Sequence, residues 1–176
     1  LFDAVSALLG IREYNSYEGE CAIALENAAA RAIEKNAAPP ELYFPIREEE
    51  EILLADRKEI IRKIFRETRE AKTWYKEEER AEALALGFHE AVSCMVLEMC
   101  RRIRERFHED KVALSGGVFA NVILQERCRS LLEEQGFQVY VNEQVPGNDG
   151  GIALGQAWLA AERLMDEKDR GGQICV

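Results

Sequence analysis

The amino-acid sequence predicts an α/β fold, and three observations predict it. In the second half, helical apolar spacing alternates with short β-favouring runs, so the order reads helix–strand–helix–strand–helix. Each strand runs into a glycine turn: Ser115-Gly116-Gly117 after the first, and Pro146-Gly147-Asn148-Asp149-Gly150-Gly151 about thirty residues on. The composition is that of a folded domain, with 47% apolar and 32% charged residues in a chain of 176, long enough to bury a core.

Taken in order, Phe2 to Gly10 has helical spacing at Phe2, Val5, Leu8 and Leu9, with Gly10 as its stop. Arg12 to Gly19 is polar and reads as a loop. The Ala-rich run Glu20 to Lys35 is a helix whose small side chains favour close packing. Residues 36–48 carry Pro39, Pro40 and Pro45 and form an extended connection with room for a short strand. Glu48 to Glu51 are expected to open the next helix, where negative charge suits the dipole, with Ile52, Leu53, Ile60, Ile61, Ile64 and Phe65 as its stripe. Arg66 to Arg80 is mixed-charge, with a break near Thr73-Trp74-Tyr75. A long helix over Ala81 to Phe107 keeps Phe88, Val92, Met95, Val96, Met99, Ile103 and Phe107 near a 3.6-residue period.

A strand then ends at Leu114, and a helix over Ala120 to Glu134 stops at Gly136. Phe137 to Val141 is the next strand, and Ile152 to Met165 the last helix, with Gly155 and its neighbouring alanines as a smooth face for a sheet. Residues 166–176 read as a frayed tail, and 1–176 as one domain. The chain begins at Leu1 rather than Met, and we expect it to be a piece of a longer polypeptide.

A formal net charge of −10, from 33 acidic against 23 basic residues, argues against a nucleic-acid surface. Five scattered cysteines without a Cys-x-x-Cys argue for reduced cytosolic thiols rather than disulfides or zinc. The apolar runs are broken by charge well short of the ~20 residues that cross a bilayer.

The glycine turns are the candidate site. Adjacent glycines let backbone approach a ligand closely, and a helix starting just after them would aim unpaired N–H groups at the same spot, which suits an anion. The alternative for Ser115, Gly116 and Gly117 is a tight turn with Ser115 as a cap. Asn121, on the first turn of that helix, is either a reader of a base edge or a surface asparagine. Asp149 is either the N-cap of the last helix or a carboxylate beside a metal or phosphate. Asp3 and Glu18 are either acceptors for ribose hydroxyls or solvated acids. His89 and His108 match no metal spacing and read as surface or core-edge residues. Cys94 and Cys100 read as core thiols.

Val112 to Asn121 (Val-Ala-Leu-Ser-Gly-Gly-Val-Phe-Ala-Asn) followed by Val145 to Gln156 (Val-Pro-Gly-Asn-Asp-Gly-Gly-Ile-Ala-Leu-Gly-Gln) closely resembles the hydrogenase-maturation carbamoyltransferases of HypF type. Leu1-Phe2-Asp3-Ala4-Val5, Ser16-Tyr17-Glu18-Gly19 and Phe88-His89-Glu90-Ala91 are similar to that family in the same order. The resemblance implies one lobe of the actin/sugar-kinase/Hsp70-like ATPase fold, a mixed sheet flanked by helices, here the C-terminal lobe of a TsaD-like domain. It implies that carbamoyl phosphate and ATP form a carbamoyl adenylate, and that the carbamoyl group passes to the C-terminal cysteine of a HypE-type partner. Ser115, Gly116, Gly117 and Gly150 would then lie along the nucleotide, Asn121 near its base, and Asp3, Glu18 and Gly19 on its ribose side. Asp149 would ligate a divalent metal whose other ligands lie outside this chain, on an upstream lobe of the same polypeptide. The family's upstream His-x-x-x-His motif is absent here, so this stretch alone is expected to bind nucleotide weakly and not to catalyse the overall reaction. Neither membrane nor nucleic acid is implied. An O-carbamoyltransferase, a tRNA threonylcarbamoyl transferase relative and a non-catalytic interaction lobe are the alternatives.

Overall fold

A computed structural model describes residues 1–69 and 74–171. The order is α1 (Phe2–Leu8), α2 (Glu20–Glu34), β1 (Ile46–Glu49), β2 (Ile52–Ala55), α3 (Arg57–Arg69), α4 (Trp74–Phe107), β3 (Lys111–Leu114), α5 (Val122–Glu134), β4 (Gln138–Val141) and α6 (Ile152–Gly171). This is α/β. The described strands form two pairs, β1 with β2 and β3 with β4. The chain divides into two compact units: Leu1–Val112 with Asn121–Val139, and Ala113–Ala120 with Tyr140–Val176.

The first unit is built on α4, against which α2 and α5 pack. The buried face of α2 is Cys21, Leu25, Ala28, Ala29 and Ala32, spaced as one helical stripe, and its alanines let two helix axes approach. From α4 come Leu84, Ala85, Phe88, Ala91 and Val92, and from α5 Leu124, Cys128 and Leu132. Full burial of each large member contributes about 1.5–3 kcal/mol. Gly87 is small because the extended segment crosses it there: a Cβ would sit 2.8 Å from the Pro40 carbonyl oxygen. Helix α4 also passes the length and composition test for a membrane span, yet half of its most apolar window is buried in protein, as in a core helix.

One carboxylate lies inside this packing. Glu82 on α4 is 2% exposed and accepts from Arg31 Nε of α2 at 2.7 Å and from Nζ of Lys35, the C-cap of α2, at 2.6 Å. Burial alone would raise its pKa, but the hydrogen bonds and charges of Lys35 and Arg31 outweigh burial and hold it below the ordinary 4.5. Both cations are about half exposed and can return to water, so Glu82→Gln should cost only about 1–2 kcal/mol at pH 7. A group with a lowered folded pKa stabilises above its unfolded pKa. The difference between wild type and Glu82→Gln in urea unfolding should therefore shrink as the pH falls through and below 4.5.

The glutamate run is not a helix start. Ile46–Glu49 and Ile52–Ala55 pair antiparallel, with Glu49 opposite Ile52, and Glu50 and Glu51 turn between them at φ 49° and 70°. A two-residue turn with positive φ at both positions is what a right-twisted hairpin needs, and its strand pairing overrides the dipole preference of the acids. Arg106 bonds Glu51 at 2.6 Å and lies 3.8 Å from Glu48. Helix α3 starts later, with Asp56 Oδ1 accepting from Lys58 N at 2.8 Å as a cap. The expected break near Thr73 falls on residues 70–73, outside the described residues, with α4 beginning at Trp74.

In the second unit, α6 continues through 166–171, where a tail was expected, and 172–176 lie outside the described residues. Gly155 has nothing within 4 Å, so the smooth face packs on no sheet among the described residues, and Leu154, Trp158 and Met165 are exposed.

Candidate functional site

The end of β3 delivers the chain to Ser115, which is exposed, and to Gly116, at φ +100°, a conformation that penalises any side chain. A 3-10 turn follows over Gly117–Ala120, with Phe119 N–H donating to the Gly116 carbonyl at 3.1 Å. The first N–H groups of such a turn have no partner within it. A Cβ on Gly117 would meet nothing within 4 Å, so the backbone there faces open space. Ser115 does not cap α5, because Asn121 does.

The other glycine turn adjoins this one. A Cβ on Gly147 would lie 3.3 Å from the Gly116 amide nitrogen and 2.8 Å from Asn142 Oδ1. Asn148, not Asp149, is the cap: its side chain accepts from Gly150 N at 3.0 Å and its carbonyl from Gly151 N at 2.9 Å. Gly151 is fixed by contact, since a Cβ there would meet the Pro146 carbonyl oxygen at 2.4 Å. Asp149 and Gly150 are exposed. The arrangement offers backbone donors at the first glycine turn and little side-chain bulk at either turn, which suits an anionic ligand such as phosphate.

The remaining candidates belong to the first unit. Asp3, in the first turn of α1, accepts from Asn15 Nδ2 at 3.3 Å. Asn15 Oδ1 in turn accepts from Cys21 N at 2.7 Å, so Asn15 ties α1 to the start of α2. Ser16 donates from N and Oγ to Glu20 at 2.6 and 2.8 Å, and the backbone bond is the main cause that lowers the Glu20 pKa. Gly19, at φ +81°, precedes α2 in the left-handed region, and Glu18 beside it is exposed.

Asn121 is not a surface asparagine. It is 9% exposed, its Oδ1 accepts from Leu124 N at 2.9 Å, and its Nδ2 lies 2.9 Å from His89 Nε2. Glu26 of α2 accepts from Val122 N at 2.7 Å and Ile123 N at 3.4 Å. The first three N–H groups of α5 are therefore taken by the protein, and the helix start expected to attract an anion is closed. His89, read as a surface or core-edge residue, is 1% exposed, with Nδ1 2.7 Å from the Ala85 carbonyl. Burial pushes its pKa below 6.5, against the Ala85 bond and the nearby Glu26 and Glu90. Its one sequence signal was its place beside Phe88 on the apolar stripe. Cys94, expected in the core, is exposed.

Among the described residues no three His, Cys, Asp or Glu side chains gather as metal ligands. Asp149 stands exposed, and one carboxylate does not satisfy a divalent ion. The described residues thus fit an anion cradle and do not by themselves fit a metal site.

The sequence matches, over residues 1–156, the family described as the carbamoyltransferase Kae1-like domain, second subdomain. The chain belongs to this family. It is 33% identical over 172 residues to the carbamoyltransferase HypF of Rhodobacter capsulatus, covering 93% of this chain and 19% of that protein. Full-length HypF in a phosphate- and nucleotide-bound crystal form superposes with a TM-score of 0.76 at 34% identity, covering 93% of this chain and 20% of that one. T. kodakarensis HypF superposes at 0.66 with 26% identity, over 94% and 20%. This Kae1-like second subdomain spans about a fifth of the length of the relatives it matches.

Proposed function

We propose that this chain is the nucleotide-phosphate half of a HypF-type carbamoyltransferase, working in the cytoplasm with an upstream lobe of the same polypeptide in nickel–iron hydrogenase maturation. The observation that carries the reading is the contact of the two glycine turns, with Gly147 against the Gly116 amide and open space at Gly117. A relative solved with phosphate and nucleotide bound supports the same ligand class. Bound ATP would supply the activated phosphate on which the carbamoyl group is carried. Ser115, Gly116, Gly117 and Gly150 line and orient that phosphate, and the N–H groups of the first turn stabilise charge that grows on it during transfer.

The acceptor is a thiolate from a HypE-type partner's C-terminal cysteine. Three of the chain's own described cysteines are poor candidates: burial pushes the thiols of Cys21, Cys100 and Cys128 up, away from the reactive thiolate.

Calorimetric titration with ATP and AMP tests the reading. Saturable heat is expected with wild type and none with Gly117→Val, whose side chain enters open space without disturbing the fold. Absence of saturable binding by wild type, also when the upstream lobe is supplied, would overturn it.

A further inference from the structure

We infer that His89 is a positioning residue: as a neutral imidazole with its proton on Nδ1, it sets which end of the Asn121 amide faces α5, and so keeps the first turn of α5 closed. The hydrogen-bond pattern allows one consistent assignment. Leu124 N is a donor, so the Asn121 atom it meets at 2.9 Å must be the oxygen. The amide nitrogen then faces His89 Nε2 at 2.9 Å as a donor, so Nε2 must be the acceptor. The ring proton sits on Nδ1 and is donated to the Ala85 carbonyl at 2.7 Å. Ring, amide and helix cap form one chain in which each proton position depends on the next.

The surroundings favour the neutral ring. The edges and faces of Phe2 on α1 and Phe88 on α4 pack on it, with centroids at 5.6 and 6.1 Å. The charges that face it are Glu26 on α2, which is held by α5 amides, and Glu90 on α4, which is paired with Arg127 of α5 at 2.8 Å. Neither carboxylate is hydrogen-bonded to the ring. A second proton on Nε2 would meet the Asn121 NH2 head-on. Relief would require turning the amide, which then presents a donor to Leu124 N and uncaps α5. Asn121 is therefore oriented from both sides, with its nitrogen on His89 and its oxygen on the cap. The assignment stands on geometry and does not depend on the nucleotide reading.

The test is a reversal of sign in pH dependence. In wild type the folded pKa of His89 lies below the unfolded 6.5, so the folded state binds fewer protons and stability is lost as the pH falls below 6.5. Asn121→Asp keeps the cap acceptor but puts an acceptor against Nε2, and with Nδ1–H still donated to the Ala85 carbonyl a proton on Nε2 makes the ring an imidazolium. The folded pKa then rises, and the added stability is present below 6.5 and lost as the pH climbs. Urea midpoints between pH 5 and 8, each read against the same chain carrying His89→Gln, should therefore slope upward with pH in wild type and downward in Asn121→Asp. His89→Gln, which retains an acceptor near Nε2, should keep more stability than His89→Asn, which does not reach. Slopes of the same sign would overturn the proposal. If Asn121→Asp does not fold, ring nitrogen NMR of the wild-type chain at neutral pH decides: a proton on Nδ1 supports the proposal, and a proton on Nε2 overturns it.

Discussion

Gly151→Ala is expected to reduce nucleotide affinity by about 100-fold or more while far-UV helix content stays essentially unchanged. The added methyl group would lie 2.4 Å from the Pro146 carbonyl oxygen, a backbone atom that cannot swing aside as a side-chain tip would. The loop from Pro146 to Gly151 must open to admit it. Opening moves Gly147 away from the Gly116 amide and breaks the Asn148 cap on Gly150. On the proposed reading the first turn then loses the loop that backs it, and its donors no longer converge on the phosphate. Two charge-assisted hydrogen bonds at about 1.5 kcal/mol each sum to about 3 kcal/mol, which corresponds to about 100-fold in Kd. Gly155→Ala is the matched control, because its Cβ enters open space four residues further on. Calorimetric titration of both variants with ATP checks the prediction. Equal affinity for Gly151→Ala and wild type would mean that the second loop does not hold those donors in place.

The parts of this structure that were legible in the sequence are those set by local chemistry. The glycine turns announced themselves because only glycine tolerates φ +100° at position 116, and strand, turn and helix follow one another without a gap. Gly10 and Gly136 mark helix ends for the same reason, at φ +68° and +80°. Helix α2 was visible because its run of alanines favours both the helix and close packing.

What was not legible depends on partners distant in sequence. The acids at 48–51 favour a helix start when read alone, and only the pairing of Ile46–Glu49 with Ile52–Ala55 makes them a hairpin. Asn121 looked like a surface residue because its partner, His89, comes thirty-two positions earlier. The closed start of α5 was invisible because Glu26 reaches it from a helix nearly a hundred residues away in the chain. Periodicity also overstated the core: the stripe from Phe88 to Phe107 is continuous in sequence, yet Ile103 is 44% and Phe107 64% exposed, because the packing partners end before the helix does.

That last contrast yields the largest expected loss of stability. Phe88→Ala should cost about 3–5 kcal/mol, whereas Phe107→Ala, the same change on the same helix, should cost less than about 1 kcal/mol. Phe88 is fully buried where three segments meet: Phe2 of α1 packs edge-on at 5.1 Å and 78°, Phe44 of the extended connection lies at 6.4 Å, and His89 adjoins at 6.1 Å. Truncation removes the ring contacts and leaves a cavity that helix backbones on several sides cannot collapse to fill. Against a total of about 5–15 kcal/mol for a domain, that is enough to populate unfolded chain near physiological temperature. Phe107 instead lies mostly in solvent beside the Arg106 guanidinium, and alanine leaves no cavity there. Urea unfolding followed by circular dichroism separates the two. If Phe88→Ala fails to fold, Phe88→Leu should still unfold cooperatively with a loss of about 1–2 kcal/mol. Equal losses at positions 88 and 107 would mean that the C-terminal half of α4 is covered in solution, and that the exposed end of the stripe is a packing surface.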